Sequence, residues 1–547
     1  IGVNDMGTKQ FDSATDLITF TRASGGTALR KISYGSELVT NGTFDTDTSG
    51  WTGRVATNTL ISNISQALRV TASSTAGVPW AYQSFTTEVG KVYLFSIESK
   101  GGTATGALYK IGTAEYGTQN ASGSLSGVVT GTFVATSTTT FMTIEPTLSS
   151  YSGSEAGDYW DFDNISVKEV VLDVATDPLV LYNHSNNTPR IEYNADGTVK
   201  GLLIEEARTN LAIYSQEFDN TTGWTAVTGM TPSATTDTEA PDGSNDAYKL
   251  TGDGVAGTAK YIIHTMNASA DIYWQHTCFF KKDTNSFVQL AVGGISSIYA
   301  NFDLNNGIKG SIGTYAGLTS NMTPLGNGWY RCNMGFNIPS SSKNLIPIIT
   351  LVDSATAPRI QSNSLSTSVF VWGMQVEEGA FPTSYIPTTG STATRAADVA
   401  TIPTSAFGYN SDAGSVAVEW TQPTWGGYVT MLSDNTAANR SIINQFTNGL
   451  VYFSTITNNV AQGDILSGTS VEGEYNKAAT TIQFNNAAVS LNGAASIVDT
   501  TYVVPNVTNL SLGSYTVGGS TYLNGHIKSI KYYPRRLSNA QLQELTT

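Results

Sequence analysis

The chain has 547 residues, with 28 Lys plus Arg against 43 Asp plus Glu and a formal net charge of −15. Its length supports roughly three to four domains, and its acidic balance lacks the cationic surface that phosphate recognition needs, which sets nucleic acid aside as a partner. Mean hydropathy is −0.10 and no uncharged apolar run approaches the ~20 residues of a spanning helix, so membrane insertion is set aside too.

The opening Ile1-Gly2-Val3-Asn4 carries neither the basic stretch nor the apolar core of a secretory leader. From there the texture is Thr, Ser, Gly, Asn and Val with many Tyr and Phe, residues that favour pleated surfaces and turns. Leu17 to Thr21 reads as a first strand. A module over 37–170 opens on Phe44-Asp45 and Gly50-Trp51-Thr52, alternates through Lys91 to Ile97, and closes on Phe162 to Glu169. Next, Arg190 to Tyr193 and Val199 to Ile204 flank Asn194-Ala195-Asp196-Gly197, a hairpin turning at Asp-Gly. Pairing of that hairpin with Leu17 to Thr21 would make 1–36 and 171–210 one small split β element, with the first module inserted in it.

The opening pattern recurs at Phe218-Asp219 and Gly223-Trp224-Thr225, and Val369 to Glu378 closes a second module over 211–380. Its Cys278 and Cys332 sit in strand-like runs and read as small buried hydrophobes. The Pro/Thr/Gly-rich stretch 381–392 suits an extended linker. A third module over 393–547 alternates through Ser415 to Trp420 and Ile527 to Tyr533, then ends in a short helix capped by Ser538 with Gln541 three residues on. The fold class expected is all-β: three β-sandwich domains in series plus the small split N-terminal element.

No motif marks a catalytic centre. His184, His264, His276 and His526 stand apart from any metal-ligating cluster, and there is no nucleophile elbow or phosphate-binding glycine loop. The pairs Glu205-Glu206 and Glu377-Glu378 read as solvated strand ends, and Lys528, Lys531, Arg535 and Arg536 as a solvated outer face. Sugars present apolar C–H faces rimmed by hydroxyls, so a glycan site pairs exposed rings with polar side chains. Trp80 with Tyr82, and Trp425 with Tyr428, follow Gly- or Pro-containing turns from which a ring can project, and are the glycan-binding candidates. Trp51, Trp224, Trp329, Trp372 and Trp420 read as core anchors.

Four segments carry a resemblance: Thr19 to Ser24, Gly201 to Leu211, Gly379 to Thr388 and Leu523 to Leu537. Together, and in this order, they resemble segments of bacteriophage virion proteins such as tail and surface fibres. Asn41 to Phe44, Gly90 to Ser96 and Phe162 to Val167 make 37–170 resemble jelly-roll carbohydrate-binding modules, and 393–547 resembles concanavalin A-like (laminin G-like) sandwiches. The resemblance implies a non-enzymatic protein on the virion exterior, extracellular to the host, commonly a homotrimer. Its partners would be other virion proteins and host-surface polysaccharide or lipopolysaccharide. It also implies a structural Ca²⁺ in the first module, with Asp163 as a ligand and Asp45 at the opposing end, although Asp45 stands where such modules commonly have Glu. Two alternatives stay open: a capsid decoration, head fibre or tail adaptor with a purely structural docking role, and a glycan-degrading enzyme.

Overall fold

A computed structural model describes residues 18–57, 59–73, 76–172, 178–267, 272–338, 344–515 and 521–547. The chain is all-β, built of β-sandwiches, and the one α-helix among the described residues is Asn539–Thr546. It divides into two compact units, one of Lys31–Pro178 and one that joins 18–30 to 179–547.

In the smaller unit, Tyr159–Leu172 pairs with Val92–Gly102, with Leu68–Thr71 and with the end of Gly26–Glu37, where Lys168 faces Glu37 and Leu172 faces Ile32. A second sheet orders Thr52–Gly53, Ala81–Thr86, Thr139–Thr147, Gly106–Gly112 and Ala121–Leu125. The inward positions of both sheets, among them Phe95, Ile97, Ile111, Met142, Ile144 and Phe162, form one buried cluster.

The larger unit holds two sandwiches. Over 211–380, a sheet running from Trp224–Thr228 to Ile308–Ile312 faces a sheet running from Met230–Ala234 to Thr319–Gly326. Cys278 and Cys332 lie directly opposite each other there, buried and unbridged. All five anchoring tryptophans are buried.

The C-terminal sandwich has seven strands in each sheet among the described residues, and the expected split element supplies the end strand of both. Thr19–Thr21 pairs with Val399–Pro403 in one sheet, while the Asp196-Gly197 hairpin adds through Val199–Ile204 to Gly525–Tyr533 in the other. The expected pairing of Leu17 to Thr21 with the hairpin is therefore corrected. Phe20 from one sheet and Leu202 and Ile204 from the other are buried members of the C-terminal core. The terminal helix carries the capping box expected at Ser538 and Gln541, and packs Leu542 on Ala417, Ala479 and Ala488.

Two further expectations are corrected by burial. The 381–392 stretch has no regular secondary structure but is not a free linker. Tyr385 is buried against Trp372, 4.8 Å between ring centres, and Ile386 is tied by its N–H to Gln375 Oε1 at 2.7 Å. Nor are Glu205 and Glu377 solvated. Glu377 accepts from Thr383 N and Oγ1 at 2.8 and 2.6 Å. Glu205 accepts from Ser384 N at 2.8 Å and pairs with Arg190 at 2.9 Å and Arg395 at 3.5 Å. Around it Asp398 bonds Arg190 and, at 3.2 Å, Arg22. A buried carboxylate needs such partners, and here they come from segments remote in sequence. Three of the four segments resembling virion proteins supply residues to this interior cluster: Arg22, Glu205 and Ser384.

Candidate functional site

Strand alternation decides which rings of the C-terminal sandwich meet solvent. In Leu450–Thr457, Val451, Phe453 and Thr455 are buried while Leu450, Tyr452 and Ser454 face out. Register then sets an outward row across four strands. Tyr428 lies opposite Asn444, Asn444 opposite Tyr452, and Tyr452 opposite Leu466. Phe446, 49% exposed, meets Tyr452 edge-on with ring centres 5.0 Å apart.

Trp425, 37% exposed, packs on the turn that follows Phe446. Gly449 in that turn has φ +82°, and a Cβ there would stand 3.0 Å from Trp425 Cε2. Glycine is thus required both by the backbone and by the ring beside it. At the other end, Tyr428 stacks on Tyr515 at 5.0 Å, and Arg440 donates to Tyr515 Oη at 3.0 Å with its guanidinium 5.5 Å from the ring centre.

The structure therefore brings Trp425 and Tyr428 onto one surface and adds Phe446, Tyr452, Asn444 and Arg440, which sequence reading did not single out. Phe446 carried a signal, since it precedes a Thr-Asn-Gly turn, whereas the period-2 run through Tyr452 does not tell which of its faces is outward. A row of rings interleaved with an amide and a guanidinium can stack on apolar sugar faces and bond their hydroxyl rims.

Trp80 and Tyr82 belong to the smaller unit, and Trp80 is corrected. Tyr116 stacks on it at 4.3 Å with 23° between the planes, and Arg54 Cζ lies 4.0 Å from its ring centre. Groups this close to one centre take opposite faces, so neither face of Trp80 is open to a sugar. Tyr82 is half-buried on the outward face of the five-stranded sheet, between Thr52 and Thr143. That face is filled from within. Glu145 accepts from Lys110 at 3.0 Å and from Tyr151 at 3.4 Å, and Lys110 Nζ lies 3.0 Å from the Tyr116 ring centre. Burial, reinforced by Glu145, pushes the Tyr116 hydroxyl well above the ordinary phenol range. Tyr116 and Tyr151 both take positive φ, 64° and 53°, the strain of side chains turned back onto the sheet.

Asp45 and Asp163 do not fit a calcium ion. Asp163 is already neutralised by Lys100 at 2.8 Å and accepts from Asn164 N at 2.8 Å, while exposed Asp45 accepts from Thr43 Oγ1 at 3.0 Å. Ca²⁺ takes about six to eight oxygens, and among the described residues no three His, Cys, Asp or Glu side chains stand together.

No protein-family model matches this sequence, and no curated protein matches it. Among solved structures it is similar to a native heptameric SAP-like pentraxin from Limulus polyphemus, at 12% identity over 25% of this chain and 73% of that one, TM-score 0.21. It is similar to the tandem CBM22 domains of Paenibacillus barcinonensis Xyn10C, at 11% identity over 64% and 99%, TM-score 0.20. Domains LG4-5 of the mouse laminin alpha1 chain match at 12% identity over 52% and 91%, TM-score 0.18.

Proposed function

We propose that the chain is a non-enzymatic adhesion protein on the exterior of a phage particle, which attaches to host-surface polysaccharide or lipopolysaccharide. The observation that carries this reading is the aromatic strip of exposed Trp425 and Phe446 with half-buried Tyr452 and Tyr428, set with Asn444 and Arg440 on one sheet. The virion resemblance supports the setting. Single-site sugar affinity is weak, and several copies on one particle, as in a trimeric fibre, raise it through effective concentration. The test is a glycan array probed with the wild-type chain and with Trp425→Ala and Phe446→Ala. The reading expects binding to a defined subset of bacterial envelope glycans that both substitutions abolish; retained binding in both discards the strip.

A purely structural docking role is the second reading. It is favoured by the outer strands Val460–Thr469 and Ile497–Asp499, which leave Val460 60% and Ile497 46% exposed. Exposed apolar side chains at an outer strand invite pairing with another chain. The position of the protein on intact particles, seen by electron microscopy, separates the two: fibre tips for attachment, a buried joint or capsid face for docking.

A further inference from the structure

A cavity of about 620 Å³ lies within the larger unit, where the Asp196-Gly197 hairpin, the 321–331 segment, the 381–385 segment and the 421–423 and 524–526 turns converge. Its volume is that of a small-molecule site. The charges on its wall are unevenly satisfied. Glu192 is paired with Lys200 at 3.1 Å and accepts from His526 Nε2 at 2.7 Å. Burial and Lys200 hold His526 below its ordinary value, so it serves as a neutral donor. Glu205 is held by Arg190, Arg395 and Ser384 as described.

Arg331 differs. Its Nη2 donates to the Thr383 carbonyl and its Cζ lies 6.0 Å from the centre of the Phe279 ring, which fixes the guanidinium. Its Nε is buried without a partner. Burial lowers its pKa, and Glu377, Glu205 and Glu192 act on it only through longer-range attraction. Each of those carboxylates is already bonded elsewhere, and of the two Lys/Arg side chains on this wall, Lys200 is paired with Glu192 while Arg331 has no ion-pair partner among the described residues. Gln422, on the same wall, likewise has a buried Oε1 with no donor. Leaving a desolvated guanidinium edge unbonded is costly, and an incoming carboxylate would relieve it with charge-assisted hydrogen bonds.

We propose that this cavity binds an acidic saccharide, its carboxylate on the guanidinium of Arg331 and its hydroxyls on Gln422, Asn321, Thr323 and Asn524. The anion follows from Arg331 alone, whereas the choice of a sugar rests on the glycan reading above. Phe381 supplies an apolar wall for the ring.

Titration calorimetry on the full chain tests this with methyl β-glucuronide, methyl β-glucoside and acetate. The glucuronide is expected to bind at least about tenfold tighter than either of the others, the difference one charge-assisted contact supplies. Arg331→Gln should lose that preference, and Trp425→Ala should keep it, which separates this cavity from the surface strip. The wild-type comparison alone also decides, should Arg331→Gln fail to fold. Equal binding of glucuronide and glucoside, or no glucuronide binding, overturns the proposal. Acetate binding as tightly as glucuronide overturns its saccharide part. A wild-type chain that takes glucuronide here while array binding survives Trp425→Ala would fail the strip and leave the cavity standing.

Discussion

Arg22 and Asp398, 376 residues apart in sequence, meet as a fully buried ion pair at 3.2 Å. Asp398 also bonds Arg190 and accepts from Glu205 N at 2.9 Å, so one carboxylate ties the first strand, the hairpin and the entry to the last sandwich together. Removing one partner of such a cluster leaves an uncompensated buried charge. Asp398→Asn is therefore expected to destabilise the larger unit by about 3–5 kcal/mol, read as a lower denaturation midpoint; a change within error would show the cluster to be dispensable.

Glu205 gives the cluster a pH dependence. Burial pushes its carboxyl up, but Arg395, Arg190 and Ser384 outweigh burial and hold it down to about 2. A carboxyl held below its unfolded value of 4.5 adds stability that is complete above that value and is lost as pH falls toward 2. Calorimetric melting between pH 6 and about 3 should show a falling Tm for the larger unit. Glu205→Gln should start lower and lose less over the same range, and parallel curves for the two would contradict the assignment.

Trp80 and Trp425 should behave oppositely. Held between Arg54 and Tyr116, Trp80 is structural, and Trp80→Ala is expected to cost about 2–3 kcal/mol in the smaller unit without altering glycan binding. Trp425→Ala should leave the melting temperature nearly unchanged and weaken glycan binding about tenfold or more. Thermal scans paired with binding isotherms read both.

Asp163 is satisfied by Lys100, so a chelator should leave the melting of the smaller unit where it was. Lys100→Met should shift it by no more than the ~1 kcal/mol of a partly exposed pair. A melting temperature raised by added Ca²⁺ would show that another set of oxygens holds a cation there.

Local chemistry was legible in the sequence wherever neighbours in the chain decide the structure. Ser538 caps its helix, Asp196-Gly197 turns its hairpin, and acid-ended β-rich runs mark the closing strands Tyr159–Leu172 and Ser368–Glu378. What alternation does not carry is partner choice. Phe20 and Leu202 each announce a strand with one apolar face, but both faces close the same distant core rather than each other. The fate of Glu205 was hidden for a similar reason, since its partner Arg395 lies 190 positions on. At the site, Trp425 and Tyr428 could be marked by their turn. Tyr452 could not, because a period of two looks the same whichever face is outward, and Trp80 is closed off by Tyr116 from a separate loop.

Saturation-transfer NMR on the full chain, with isolated host-envelope polysaccharide as ligand, tests the central claim most directly. Irradiating aromatic protons should pass saturation to sugar C–H protons in the wild type. The Trp425→Ala/Phe446→Ala double variant should lose the transfer while keeping its β-type circular dichroism. Transfer of equal strength in that double variant, or none in the wild type, would contradict the strip as the place where this protein holds glycans.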